Sequence, residues 1–296
     1  ISKTVLQALE RDRILLRLFC ETFKGSKATG GEYIPSLYRL DVFERYLKTR
    51  IDKASSLLCE HTGEGVKAIG RRLSDLLFVI ADKMLRTRRY SNLPISEICG
   101  HDGSLLDYLV GEEILLRRDL ATPYGLQSSS SDTVSFTFDE IRDFLLADHL
   151  ARNIFRESRK EFTSIVTHAK VDAAQMAEGI CRFLFHFSRI PGQEDLYEQC
   201  CQLSLFDDAF IPEVFNIDPG AEKPADVQKV KSILESYSVA EAPKDYVRNF
   251  HLEAKALEAA CILVRRWNSV EYPSLNLILL LDVVEQQPWD RNNLIQ

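Results

Sequence analysis

The chain has 296 residues, of which 45% are hydrophobic and 27% charged, and a net charge of −7. That is enough apolar material for a core and a length that fits two or three domains, while the acidic balance lacks the basic footprint of a general nucleic-acid binder. The seven cysteines are an odd total without a C-x-x-C pair, so a reducing, cytoplasmic setting fits better than a disulfide framework.

Apolar residues at helical spacing predict a first helix over 4–23, with Val5, Leu6, Leu9, Leu16, Phe19 and Phe23 on its inner side. The glycine-rich stretch that follows, "FKGSKATGGEY" (23–33), has four residues between Gly25 and Gly30 and resembles half of a phosphate-binding loop. Such a loop needs Lys and then Ser or Thr after its second glycine, to reach the terminal phosphates and to hold magnesium. Here Gly31 and Glu32 stand there, and a carboxylate beside a triphosphate repels it. No buried strand precedes the stretch. The chain by itself is therefore expected to be no ATPase, with no cofactor and no metal of its own. Helices are predicted over 35–58, opened by Pro35 and Ser36, and over 67–89, with Leu73, Leu76, Leu77 and Ile80 on one face.

The rhythm then changes. Short helices are predicted over 93–100 and 104–112, a strand over 113–121, a polar loop over 122–132 and a returning strand over 133–138, where "TVSFTF" alternates. A long helix, two short helices and a two-stranded hairpin form the order of a winged-helix domain. A long helix over 139–158, capped by Asp139, follows. Further helices are expected over 171–187, 193–206, 225–237, 246–268 and 274–287, separated at Pro191-Gly192, Asp218-Pro219-Gly220, Pro243 and Pro273. The expected fold is mainly α: a helical domain (1–70), a winged helix with a small β-hairpin (71–138), then an α-helical array (139–296). The most apolar run, "LNLILLLDVV" (275–284), is far shorter than the roughly 20 residues a membrane span needs and contains Asp282. Its apolar residues surround most of the helix and call for cover on several sides. The chain starts at Ile1 in the middle of a helical pattern, so it is expected to be a piece of a longer protein whose architecture also continues past Gln296.

Two stretches resemble the NACHT-type STAND NTPases, with bacterial antiviral members nearest in style. "RDRILLRLFCE" (11–21) is similar to the helix after their ATPase core, written N-P-L-L-L-x-L-x-C, and "VSFTFDEIRDFLLADHLA" (134–151) to the end of their winged helix, F-x-H-x-x-[FI]-x-[ED]-[FY]-x-A-A. The resemblance covers roughly residues 1–155. It implies an ATPase core before Ile1, with ATP and magnesium bound there, a switch from closed monomer to homo-oligomer, a separate effector, and a C-terminal helical sensor for a protein trigger. The matching positions are Leu15, Leu16, Leu18 and Cys20 in the first motif and Phe136, Ile141, Asp143, Phe144 and Ala147 in the second, mainly packing positions. Leu16, Phe136, Ile141, Asp143 and Phe144 are the expected structural or switch residues. Two nucleotide-contacting positions depart from the pattern: the proline falls at Arg13 and the winged-helix histidine at Phe138. Neither role carries over.

A winged helix also invites a DNA-binding reading. The recognition segment, "HDGSLLDYLVGEE" (101–113), contains Asp102, Asp107, Glu112 and Glu113 and no Lys or Arg, the wrong sign for phosphates. No DNA or membrane partner is expected. Cys99, His101 and Asp102 lack a second ligand pair at zinc spacing, and His149, His168, His186 and His251 lie in helical patterns. Asp139, Glu140 and Asp143 open a helix, where acidic charge is favourable. Arg86, Arg88 and Arg89 form a basic cluster that reads as a solvated helix end. Three functions therefore stand open: the sensor-proximal part of a STAND NTPase, a free-standing helical interaction scaffold with a winged helix, and a transcription regulator.

Overall fold

The computed structural model describes residues 13–23, 39–98, 103–120 and 131–206, all within the first of two units into which the chain divides, Ile1–Ala209. The phosphate-loop-like stretch, the turn around His101 and the helices expected beyond 206 lie outside the described residues, apart from Phe23.

The described part is mainly helical. Helix α1 (Arg13–Phe23) lies against α2 (Arg39–Thr62), which packs on α3 (Val66–Thr87). Gly63, at φ +72°, ends α2 in a conformation that L side chains rarely adopt. Leu73, Leu76, Leu77 and Ile80 of α3 are buried as their spacing requires, joined by Ile69, Ala81, Met84 and Leu85. The boundary expected between residues 70 and 71 falls inside this helix. In α1 the buried face is Leu15, Leu18 and Phe19, whereas Leu16 is 43% exposed. Leucines circle most of α1, so spacing alone does not decide which of them faces α2.

A small sheet follows, and it has three strands rather than the expected two. Strand β1 (Leu93–Pro94) leads into α4 (Ile95–Ile98), α5 (Gly103–Gly111), β2 (Leu115–Leu120) and β3 (Ser131–Phe136). The order is β1-β3-β2 and all pairings are antiparallel, with Leu93 opposite Val134 and Leu115 opposite Phe136. The stretch read as one helix over 93–100 thus begins as an edge strand, a place where Pro94 needs no ladder N–H. The Asn92 N–H, donating to Ser135 Oγ at 2.8 Å, holds it to β3.

Helix α6 (Asp139–His149) continues through a π-helical stretch, Leu150–Ile154, to Glu157. Its N-cap residue is Phe138, without a side-chain cap; Asp139 sits in the first turn instead of capping the helix as expected. Helix α7 (Arg159–Asp172) fills a stretch for which no separate helix is predicted, the next being expected only from 171. Its apolar face is only Phe162, Val166 and Ala169. Ser158 and Glu161 carry the S-x-x-E signal of a capping box, and Ser158 Oγ accepts from the Glu161 N–H at 3.2 Å. Helices α8 (Ala174–Phe187) and α9 (Glu194–Gln202) complete the described part. The centre of the core is an aromatic cluster in which the Phe144 ring meets Phe43 of α2 at 5.6 Å and Phe183 and Phe187 of α8 at 5.4 and 5.7 Å.

Candidate functional site

Helix α6 packs against α8, α3 and α2, and Ile141 and every residue from Asp143 to His149 are buried. An amphipathic helix keeps its charges outside; this one carries Asp143, Asp148 and His149 inward. Each has a defined partner. Asp143 Oδ1 accepts from Arg142 Nε at 2.9 Å and lies 2.8 Å from the second guanidinium nitrogen, while Oδ2 is turned onto Gly179 of α8. A Cβ at Gly179 would come within 2.0 Å of that oxygen, so a side chain there would have to displace the carboxyl. Burial, opposed by Arg142, pushes the Asp143 carboxyl up to about 7.

Asp148 pairs with Arg152, which also donates to Glu44 of α2 at 2.8 Å; burial raises the Asp148 pKa against the pull of Arg152. His149 spans two helices. Asn153 donates to its Nδ1 at 2.8 Å, which leaves Nε2–H to donate to Asp82 of α3 at 3.1 Å, a tautomer assigned from the network. Asp82 also takes Arg86 at 2.8 Å, and Arg86 reaches on to Glu161 of α7.

A second network lies along the middle of α2. Glu112, just past α5, has a side chain only 4% exposed and accepts from Lys53 at 2.7 Å and Arg50 at 3.4 Å. Arg50 also holds Glu21 of α1 at 2.7 Å, and Glu21 holds Arg17 at 2.8 Å. The guanidinium of Arg17 lies 5.1 Å from the Phe138 ring centroid, a cation–π contact. One chain of charges therefore joins α1, α2 and α5. The Tyr108 hydroxyl, 3.4 Å from His61 Nδ1, adds a contact between α5 and α2.

Of the expected switch residues, Phe136, Ile141, Asp143 and Phe144 are buried, the last three on one helix, and Leu16 stands apart on the outer side of α1. Arg86, Arg88 and Arg89, read as a solvated helix end, each meet an acid: Glu161 and Asp82, Asp172 at 3.3 Å and Glu97 at 2.8 Å. They tie the end of α3 to α7 and α4. Glu112 and Gly179 went unrecognised as site residues. The first had no local signal, because its partners lie some 60 positions away in sequence. The second had only that of a glycine inside a helix.

A cleft of ≈ 510 Å³ opens between α2, α3 and α6. Leu47, Ile51, Leu77, Phe78, Phe144 and Leu145 contribute its apolar wall, and Lys48, Asp52, Arg71 and Asp75 stand among its charged lining. Among the described residues no group of three or more His, Cys, Asp or Glu could hold a metal ion, and none of the helices is long and apolar enough to cross a membrane. Burial raises the pKa of the Cys200 thiol, which favours the protonated, unreactive form. Chemically, the site is a set of closed ion pairs that hold helices in register.

No family model matches the chain, and no curated protein or solved structure matches it either.

Proposed function

We propose that this chain is the regulatory, sensor-proximal part of a NACHT-type STAND NTPase: α1 and α2 from the helical domain, α3 to β3 as the winged helix, and α6 onward as the start of the sensor arm. The observation that carries the proposal is the order helix, short strand, two short helices and hairpin, with β3 between β1 and β2, running directly into a central buried helix at Asp139. The Glu112 network supports it by tying the helical domain to the winged helix, a contact that holds the two in one closed arrangement. On this reading ATP and magnesium belong to a core preceding Ile1, a protein trigger acts through the array, and release of the closed arrangement leads to homo-oligomers, in a cytoplasmic, antiviral setting. Hydrolysis is then no property of this chain.

The experiment is expression of the complete coding sequence that contains the chain. It should encode a phosphate loop upstream, and its product should assemble with ATP. Glu112→Gln should lower the trigger requirement for assembly. A complete reading frame without a phosphate loop overturns the proposal.

A second reading, a free-standing interaction scaffold, is favoured by the cleft, whose apolar wall and mixed charges suit a partner's amphipathic helix. Transcription regulation is disfavoured, because α5 rests on α2 through Tyr108 and Glu112 and brings carboxylates where DNA phosphates would come.

A further inference from the structure

We propose that Asp143 and Gly179 form a proton-linked lock between α6 and α8, closed while the Asp143 carboxyl is neutral and loosened when it ionises. Three observations carry it. Asp143 is buried at the packing face of the two helices, its side chain 9% exposed. Both guanidinium contacts from Arg142 go to Oδ1, so the counter-charge serves one oxygen. The other oxygen occupies the space a side chain at 179 would take, with even Cγ only 2.8 Å from a built Cβ. A charge there is shared by an oxygen that lies against the α8 backbone at Gly179 and takes neither Arg142 contact, and desolvating a carboxylate is costly even beside one counter-ion.

The surrounding charges do not offset it. On α6, Asp139 and Glu140 oppose ionisation and Arg142 favours it; Arg142 is also shared with Asp139 at 2.9 Å. On α8, Glu178 and Arg182, flanking the glycine, are paired with each other, and His186 lies buried further along. From α2 comes the uncharged Phe43, with Asp41 beside it and Glu44 committed to Arg152. From α3, Asp82 is engaged by His149 and Arg86. From β3 comes Phe136. A carboxyl whose folded pKa is raised holds its proton in the native state after the unfolded chain has lost it. Stability is therefore fully present below the unfolded value near 4 and is lost as pH rises to about 7. The lock acts in the range where intracellular pH varies.

The test compares the 296-residue chain with its Asp143→Asn variant by urea unfolding from pH 4.5 to 8.5, the other carboxyls cancelling in the comparison. The wild-type unfolding constant should rise relative to the variant by close to tenfold per pH unit up to about pH 7 and then level off. Because Asn can disturb packing, ¹³C-labelled Asp in the wild type is titrated as well, and one side-chain carboxyl should show a midpoint near 7 that disappears in the variant. Hydrogen exchange at α8 should quicken above that midpoint. Parallel pH profiles for the two proteins, or an Asp143 midpoint below 5, overturn the proposal.

Discussion

Truncation of Phe144 probes the junction most directly. Its ring is 3% exposed and touches three other phenylalanine rings, Phe43, Phe183 and Phe187, from two different helices. Phe→Ala in a core costs about 3–5 kcal/mol, and aromatic pairs are worth roughly 0.5–1.5 kcal/mol each beyond burial, without simple additivity. The three contacts place the loss at the upper end. The cleft on the other side pulls it down, because Phe144 lines that opening and water can enter the vacated volume. A loss of about 4 kcal/mol results, a large share of the roughly 5–15 kcal/mol that holds a domain folded. Phe144→Leu keeps most of the volume and forfeits the ring contacts, so about 1–2 kcal/mol is expected. Urea unfolding with an unchanged m-value measures both. A loss below about 1 kcal/mol for the alanine variant, or equal losses for the two variants, refutes the view that the stacked rings join α2, α6 and α8.

Gly179→Ala should destabilise by about 1–3 kcal/mol, although alanine favours a helix by about 1 kcal/mol, because its Cβ lands 2.0 Å from Asp143 Oδ2. Adding Asp143→Ala to that variant should recover most of the loss in a double-mutant cycle, and no recovery would place the strain elsewhere. Glu112→Lys sets a third cation between Arg50 and Lys53 at a buried position and should prevent stable folding, while Asp107→Lys, at a side chain 65% exposed, should change stability by less than about 0.5 kcal/mol. In a gel-shift panel at about 150 mM salt, neither the wild type nor Asp107→Lys should show a sequence-preferring complex with duplex DNA; a wild-type shift that Asp107→Lys abolishes would overturn the argument from charge.

The sequence by itself determined the elements whose cause is local. Apolar residues every three or four positions made α2, α3, α6 and α8 helices, and β3 alternated visibly at Val134 and Phe136. The motif around Phe136, Ile141 and Phe144 also pointed to buried positions. What remained hidden depended on partners distant along the chain. Two residues, Leu93 and Pro94, are a strand only because β3 offers them an edge. Helix α7 has too narrow an apolar face to stand out, and its signal is the cap at Ser158. The face of α1 that turns inward was fixed by α2, which took Leu15 and Leu18 and left Leu16 outside. Most of all, the tertiary structure decided which charges are surface charges. Glu112 read as one carboxylate among several on a recognition helix and is a buried hub between Arg50 and Lys53; Asp143 read as helix-start charge and lies against Gly179. A side chain's intrinsic preference is written in its own chemistry, but its desolvation and its counter-ion are supplied by whatever helix folds over it.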